Sequence, residues 1–201
     1  MINTIVFDIG NVLAHFGWLE YLKECGYDDV TIDKIGKATV YHRLWKELDR
    51  SLNMEQELID QFIANDPEVA SEIAEFLDKS YQVVWEYEGS VELIQDLKKK
   101  GYKVYLLSNY GGRNFQHAKE NFEFFQHVDG AVISYEVGYV KPEPAIFQAL
   151  IDKYNIIPQE AVFLDDTKVN VEAAKVLGFQ TIHVTSHQEI RNELKKFHII
   201  V

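Results

Sequence analysis

Apolar and polar positions follow two different periods along this chain, and the change of period divides it. Residues 2–7, INTIVF, form a short β-branched run and predict a buried strand. From about residue 16 to 98 the spacing turns helical. FGWLEYLKECG, IGKATVYHRLWKELDRS, MEQELIDQFIAND and PEVASEIAEFLDKSYQVVWEYEG carry apolar residues three and four apart, and no stretch among them reads as a strand. Ser90 stands where an N-cap would open the helix VELIQDLKKKG, with Gly101 as its stop signal.

Beyond Gly101 strands and helices take turns. KVYLLS (103–108), GAVISY (130–135), AVFLD (161–165) and QTIHVT (180–185) predict strands. Helices are expected near 113–122, 143–154, 168–177 and 187–196. Such alternation implies an α/β fold, a doubly wound parallel sheet with helices on its faces. The helical block separates the first strand from its partners, so it reads as an insertion. The expected division is a core of residues 1–14 and 99–201 carrying an all-helical cap, residues 15–98.

Placed on that scheme, the polar residues at strand ends converge. Asp8 ends the first strand, Ser108 and Asn109 end the second, Lys141 follows the third, and Asp165 and Asp166 end the fourth. All fall at the carboxyl edge of a doubly wound sheet, where ligands bind. An acid at the end of a buried strand is costly unless something pairs with it or uses it. Three carboxylates close together repel one another unless a cation sits among them, and all-oxygen ligands suit Mg²⁺. An Asp in that setting can attack phosphorus and form an aspartyl-phosphate. Ser108 and the Lys141 ammonium would then bind the remaining phosphate oxygens. Asp165 and Asp166 also stand where they could cap the helix beginning near Lys168, and Asn170 reads as a supporting or surface residue.

Charge and composition limit the partners. The 201 residues are 47% hydrophobic and 26% charged, the profile of a globular protein. A net charge of −12 argues against nucleic acid or an anionic membrane, though not against a small phosphorylated ligand at a local cationic site. Cys25 stands alone, so no internal disulfide can form, and a reducing, cytoplasmic setting is expected. Neither a signal peptide nor a membrane span is expected, and the chain reads as a monomer or weak homodimer. Lys98, Lys99 and Lys100 complement a helix dipole, and His15, His42 and Cys25 lack metal-like spacing. Of the cap aromatics Phe16, Trp18, Tyr41 and Trp45, most are expected in the core and one or two facing the substrate. Gly111 and Gly112 would either admit a close backbone approach or make a turn.

Together DIGNVL, LLSN, KPEPAIF and FLDDTKVNVEAAKVLG resemble the four motifs of the haloacid dehalogenase (HAD) superfamily of hydrolases, in order and spacing. The resemblance runs from Ile5 to about Val184, and the helical block falls where one subfamily carries a four-helix cap. It implies a nucleophile at Asp8, and phosphate binding by Ser108, Asn109, Lys141 and the Gly10 loop. It also implies Mg²⁺ held by Asp8, Asp166, the Gly10 carbonyl and, directly or through water, Asp165, which would otherwise orient Lys141. The chain departs from the pattern at Gly10, where most phosphatases of the superfamily carry a second Asp as general acid and base. DIGNV resembles the variant of a branch that includes sugar-1-phosphate phosphatases. A good leaving group, such as an anomeric hydroxyl, would tolerate that loss best.

The expected activity is therefore Mg²⁺-dependent hydrolysis of a small phosphorylated metabolite, a sugar phosphate among the candidates. A metal-free 2-haloacid dehalogenase would use the same nucleophile but fits the acidic pair Asp165–Asp166 poorly. A phospho-acceptor receiver domain carries its acid pair near the first strand, whereas here it follows the fourth. A degenerate member binding a phosphorylated ligand without turnover has only Gly10 in its favour.

Overall fold

The computed structural model describes residues 1–199 and 201. Strand β1 (Thr4–Phe7) is followed by the short strand β2 (Ala14–Phe16). Helices α1 (Trp18–Glu24), α2 (Asp29–Ala38), α3 (Trp45–Arg50), α4 (Gln56–Asn65) and α5 (Ala70–Asp78) come next. Strand β3 (Val84–Glu86) and helix α6 (Ser90–Lys99) lead back to the sheet. The alternating half runs β4 (Lys103–Ser108), α7 (Gly112–Asn121), β5 (Gly130–Ile133), α8 (Ser134–Val137) and α9 (Pro144–Tyr154). It ends with β6 (Ala161–Asp165), α10 (Lys168–Val176), β7 (Gln180–His183) and α11 (Ile190–Lys195).

The main sheet has the order β5-β4-β1-β6-β7, with every neighbouring pair parallel. A strand covered on both faces needs apolar residues at consecutive positions, and β1 and β6 are buried throughout. Their side chains still sort by the pleat. Ile5, Phe7, Leu106 and Leu164 join one cluster with Leu93 and Leu97 of α6. Val6, Leu107 and Phe163 join another with Phe147 and Leu150 of α9. Each of these fully buried large side chains contributes about 1.5–3 kcal/mol. Phe7 pairs with Leu106 on one side and Leu164 on the other, so Asp8 stands level with Asp165 and one position short of Ser108 at the carboxyl edge.

The helical block has its own core, built on Trp18, Ile35, Phe62, Ile73, Phe76 and Leu77. It differs from the sequence expectation in three ways. It contains strand residues: β2 and β3 pair antiparallel, His15 opposite Trp85, as a two-stranded ribbon at the base of the insertion. Three-residue strands are too short for a period of two to stand out from helical spacing, which is why none was expected. IGKATVYHRLWKELDRS is also interrupted between Ala38 and Trp45. There Thr39 Oγ1 turns back to the Ile35 carbonyl (2.6 Å), a bond that competes with continuing the helix. Finally, α6 buries Leu93, Ile94 and Leu97 against the sheet rather than against the inserted helices. On that packing we propose that the insertion ends near residue 89 and not at 98.

Two further expectations change locally. GAVISY is a strand only to Ile133; Ser134 opens the single turn α8, which Gly138 closes at φ +73°. Ser90 is not an N-cap. Gly89 holds that position at φ +90°, and the buried Ser90 hydroxyl donates to the Leu13 carbonyl (2.7 Å). That bond ties the chain leaving the insertion to the chain entering it. Ser90→Ala should therefore lower unfolding stability by about 0.5–1.5 kcal/mol, measured as a reduced denaturant midpoint at unchanged m-value.

Candidate active site

Lys141 is a fully charged side chain with 2% of its surface exposed. Burying an ammonium is tolerable only with anionic partners, and it has two. Its Nζ lies 2.8 Å from Asp8 Oδ1 and 2.6 Å from Asp165 Oδ2. Burial works against the charge, but Asp165 and Asp8 more than offset it and hold the ammonium above its ordinary pKa. The Lys141 backbone is fixed as well: its N–H donates to Asn109 Oδ1 (2.7 Å), and Asn109 Nδ2 donates to its carbonyl (3.1 Å). The Asn109 side chain thus braces the lysine. The Asn109 N–H has no hydrogen-bond partner among the described residues.

Asp165, wholly buried, is saturated by donors. It accepts from Lys141, from the Thr167 N–H (2.8 Å) and from Asn170 Nδ2 (3.1 Å). Of the two roles expected for Asp165, this geometry supports orientation of Lys141. Asn170 acts through Asp165 as a supporting residue.

Asp8 is held differently. Its Oδ1 accepts from the Ile9 N–H (2.7 Å) and Ser108 Oγ (2.7 Å) and faces Lys141, while Oδ2 accepts no hydrogen bond among the described residues. Among the described residues no buried side-chain oxygen lacks a partner, so Oδ2 is open to the cavity that Asp8 lines. One oxygen is anchored and the other is presented. Burial, together with the charges of Asp165 and Asp166, pushes the Asp8 carboxyl up to about 7 despite Lys141.

Asp166 completes the cluster. Oxygens of Asp8, Asp165 and Asp166 lie within 4.8 Å of one another. The Gly10 carbonyl accepts no hydrogen bond among the described residues. A hard divalent cation fits this all-oxygen donor set and would offset the repulsion that raises Asp8. Asn11, to which no role was assigned from sequence, positions Asp166: its Nδ2 donates to Asp166 Oδ2 (2.9 Å) while its Oδ1 accepts the Phe16 N–H (3.1 Å). It does so from the left-handed region, at φ +55°, which Asn tolerates better than most residues.

A cavity of about 200 Å³ lies over these groups, between the sheet edge and the inserted helices. Gly10, Ser108 and Asp166 line it from the sheet side, and Phe16, Trp45 and Asp49 from the other. Phe16 and Trp45 are the cap aromatics that face the site; Trp18 is in the cap core and Tyr41 lies on the surface. A Cβ built on Gly10 meets nothing within 4 Å, so a side chain there would have room. Gly111 and Gly112 answer to close approach: a Cβ on Gly111 would lie 2.7 Å from the Leu48 carbonyl oxygen, and one on Gly112 2.5 Å from that of Leu52. What approaches is the insertion's own backbone.

Lys141→Met would leave Asp8 and Asp165 buried without their cation. The expected loss is about 3–5 kcal/mol, measured by denaturant unfolding at pH 7. A loss below 1 kcal/mol would show that the ammonium is not what stabilises this edge.

A family model described as haloacid dehalogenase-like hydrolase matches residues 2–178. The chain is 36% identical over 104 residues to mouse bifunctional epoxide hydrolase 2, across 50% of this chain and 19% of that protein. It is 33% identical over 102 residues to D-ribitol-5-phosphate phosphatase of Bacteroides thetaiotaomicron, across 48% of this chain and 50% of the relative. These matches therefore span half or less of either relative. Among solved structures, the HAD family enzyme bt-2542 of Bacteroides thetaiotaomicron, in complex with magnesium and inorganic phosphate, superposes with a TM-score of 0.72 at 22% identity. That similarity covers 96% of this chain and 99% of the other. With the fold and the family model in agreement over most of its length, this chain belongs to the haloacid dehalogenase-like hydrolase family.

Proposed function

We propose that the protein is a Mg²⁺-dependent phosphatase acting on a small phosphorylated metabolite, with Asp8 as nucleophile. The observation that carries this reading is the division of labour within Asp8. Oδ1 is fixed by three partners while Oδ2 opens on the cavity beside the acidic cluster. In the first step Asp8 Oδ2 bonds to phosphorus, the bond from phosphorus to the ester oxygen breaks, and its electron pair leaves with that oxygen. In the second, a water oxygen bonds to phosphorus and the Asp8–phosphorus bond breaks, releasing inorganic phosphate. Ser108 and Lys141 keep Asp8 oriented through both steps, and the unpartnered N–H of Asn109 suits a phosphate oxygen. Asp8, Asp166 and the Gly10 carbonyl would hold Mg²⁺, which neutralises charge on the phosphoryl group when bound.

The cavity, at about 200 Å³, is below the range typical of drug-sized ligands and suits a small metabolite. A phosphorylated polyol or sugar agrees with that size and with the activity named for the Bacteroides relative. Dehalogenases share this fold, so fold alone does not choose the reaction. The cluster of Asp8, Asp165 and Asp166 favours the phosphatase, because a metal-free site has no use for the third carboxylate.

Hydrolysis of an aryl phosphate should require Mg²⁺ and disappear on chelation, with recovery when Mg²⁺ is restored. Full activity in excess chelator would remove the metal from this reading. Asp8→Asn, which keeps the shape but loses the nucleophilic charge, should leave less than about a hundredth of the activity at an unchanged fold. Retention of more would refute covalent catalysis at Asp8.

A further inference from the structure

With Gly10 in place of an acid, something else must protonate the departing oxygen unless the leaving group is unusually good. We propose that Asp49, carried on α3 of the inserted unit, is the general acid and base of the reaction. This rests on the phosphatase reading and names the residue that completes it.

Asp49 lines the same cavity as Asp8, Gly10 and Asp166, and does so from the inserted unit rather than from the sheet. Its carboxyl makes no hydrogen bond or ion pair among the described residues, so neither oxygen is committed elsewhere. Its backbone, in contrast, is fixed to the sheet domain at several points. Ser134 Oγ donates to the Asp49 carbonyl (2.6 Å) and itself accepts the Tyr110 N–H (2.8 Å). The Gly112 N–H donates to the Ser51 carbonyl (2.9 Å). Arg50 reaches the Gly138 carbonyl (2.9 Å) and pairs with Glu143. Gly111 lets the Leu48 carbonyl come within a distance that any side chain would prevent. An unpartnered carboxyl on a strongly anchored backbone is an arrangement for presenting a proton, not for stabilising a helix.

The charge state agrees. Desolvation and then the nearby Asp8 charge push the Asp49 carboxyl up to about 8, with Lys141 and Arg50 acting in the other direction. The Tyr110 hydroxyl, the other titratable group beside it, is held above its ordinary range and stays neutral. Asp49 is therefore protonated near neutral pH, the condition for a general acid. As the bond from phosphorus to the ester oxygen breaks, that oxygen takes the Asp49 proton and leaves as the alcohol. The resulting carboxylate then takes a proton from the water that attacks the aspartyl-phosphate, and the starting state is restored. Gly10 is then no sign of a special leaving group, since the acid is supplied across the cavity.

The test compares wild type and Asp49→Asn on an aryl phosphate, whose leaving group needs little protonation, and on a primary alkyl phosphate, whose leaving group needs much. In single turnovers Asp49→Asn should release the aryl alcohol within a few-fold of the wild-type rate and the alkyl alcohol about 10²–10⁴-fold more slowly, while breakdown of the aspartyl-phosphate, where Asp49 acts as base, slows for both. Wild-type turnover of the alkyl ester should fall as pH rises through about 8, because the proton is lost there, while turnover of the aryl ester should not. A readout independent of activity follows from the same carboxyl. Its folded-state pKa is raised, so the wild type should lose stability relative to Asp49→Asn as pH climbs from the unfolded-carboxyl range to about 8. Equal losses in the alcohol-release step on both esters, or no alkaline fall for the alkyl ester in wild type, would overturn the assignment of Asp49 alone. Failure of wild type to hydrolyse either ester with Mg²⁺ present would overturn the phosphatase reading and Asp49 with it.

Discussion

The carboxyl edge of this sheet is organised around one buried cation. Lys141 holds Asp8 and Asp165 at 2.8 and 2.6 Å, and without it both carboxyl groups would be buried at strand ends with no cationic partner. The surrounding structure serves that placement. Asn109 grips the Lys141 backbone from both sides, Asn170 and the Thr167 N–H fill the remaining positions on Asp165, and Ser108 with the Ile9 N–H fixes one Asp8 oxygen. The lysine is also already committed. Its charge is matched by Asp8 and Asp165 before any ligand enters, with Asp166 adding a further carboxylate. A phosphate dianion entering that field, in a chain of net charge −12, would be repelled without an additional positive charge. The charge balance of the site is thus itself an argument for the proposed divalent cation.

Much of this edge could be read from the residues. Doubly buried strands require unbroken apolar runs, and IVF, YLLS and VFLD advertise both their position in the sheet and the polar residue that ends them. Asp8, Ser108, Lys141, Asp165 and Asp166 were legible for that reason, since strand ends in a parallel sheet converge. The roles inside the cluster were less legible. Asn109 was expected on the phosphate, and its side chain also braces the Lys141 backbone; Asn11 was quoted in a motif without a function and proves to position Asp166. Such pairings join residues 32 and 155 positions apart, and no local pattern encodes them.

The insertion shows the same boundary between local and tertiary information. Its apolar spacing predicted helices, and helices formed. The ribbon of β2 and β3 was missed because three-residue strands owe their existence to each other rather than to their own period. Asp49 was missed for a stronger reason. In KELDRS it is one acid among several charged residues on a short amphipathic turn, with nothing to separate it from Glu47. Only the docking of α3 against Gly111, Gly112 and Ser134 turns one of those acids toward the cavity.

That docking links specificity to chemistry. In the proposed mechanism the nucleophile stands at the end of β1, the central strand of the sheet, and the proton donor on a helix of the inserted unit. Both must face the same ester oxygen for turnover, so the ester bond breaks efficiently only when the insertion sits over the sheet edge. The ribbon and the Ser90–Leu13 bond keep the two chain crossings together, while the glycine pair sets how closely α3 descends. A leaving group that held the insertion away would lose its acid as well as its contacts. Discrimination would then act on the bond-breaking step and not only on binding, which is where selectivity between substrates is expressed. An acid at position 10 would have no such dependence, because it would stay beside Asp8 whatever the insertion did. The departure at Gly10 and the placement of Asp49 are, on this account, two parts of one arrangement.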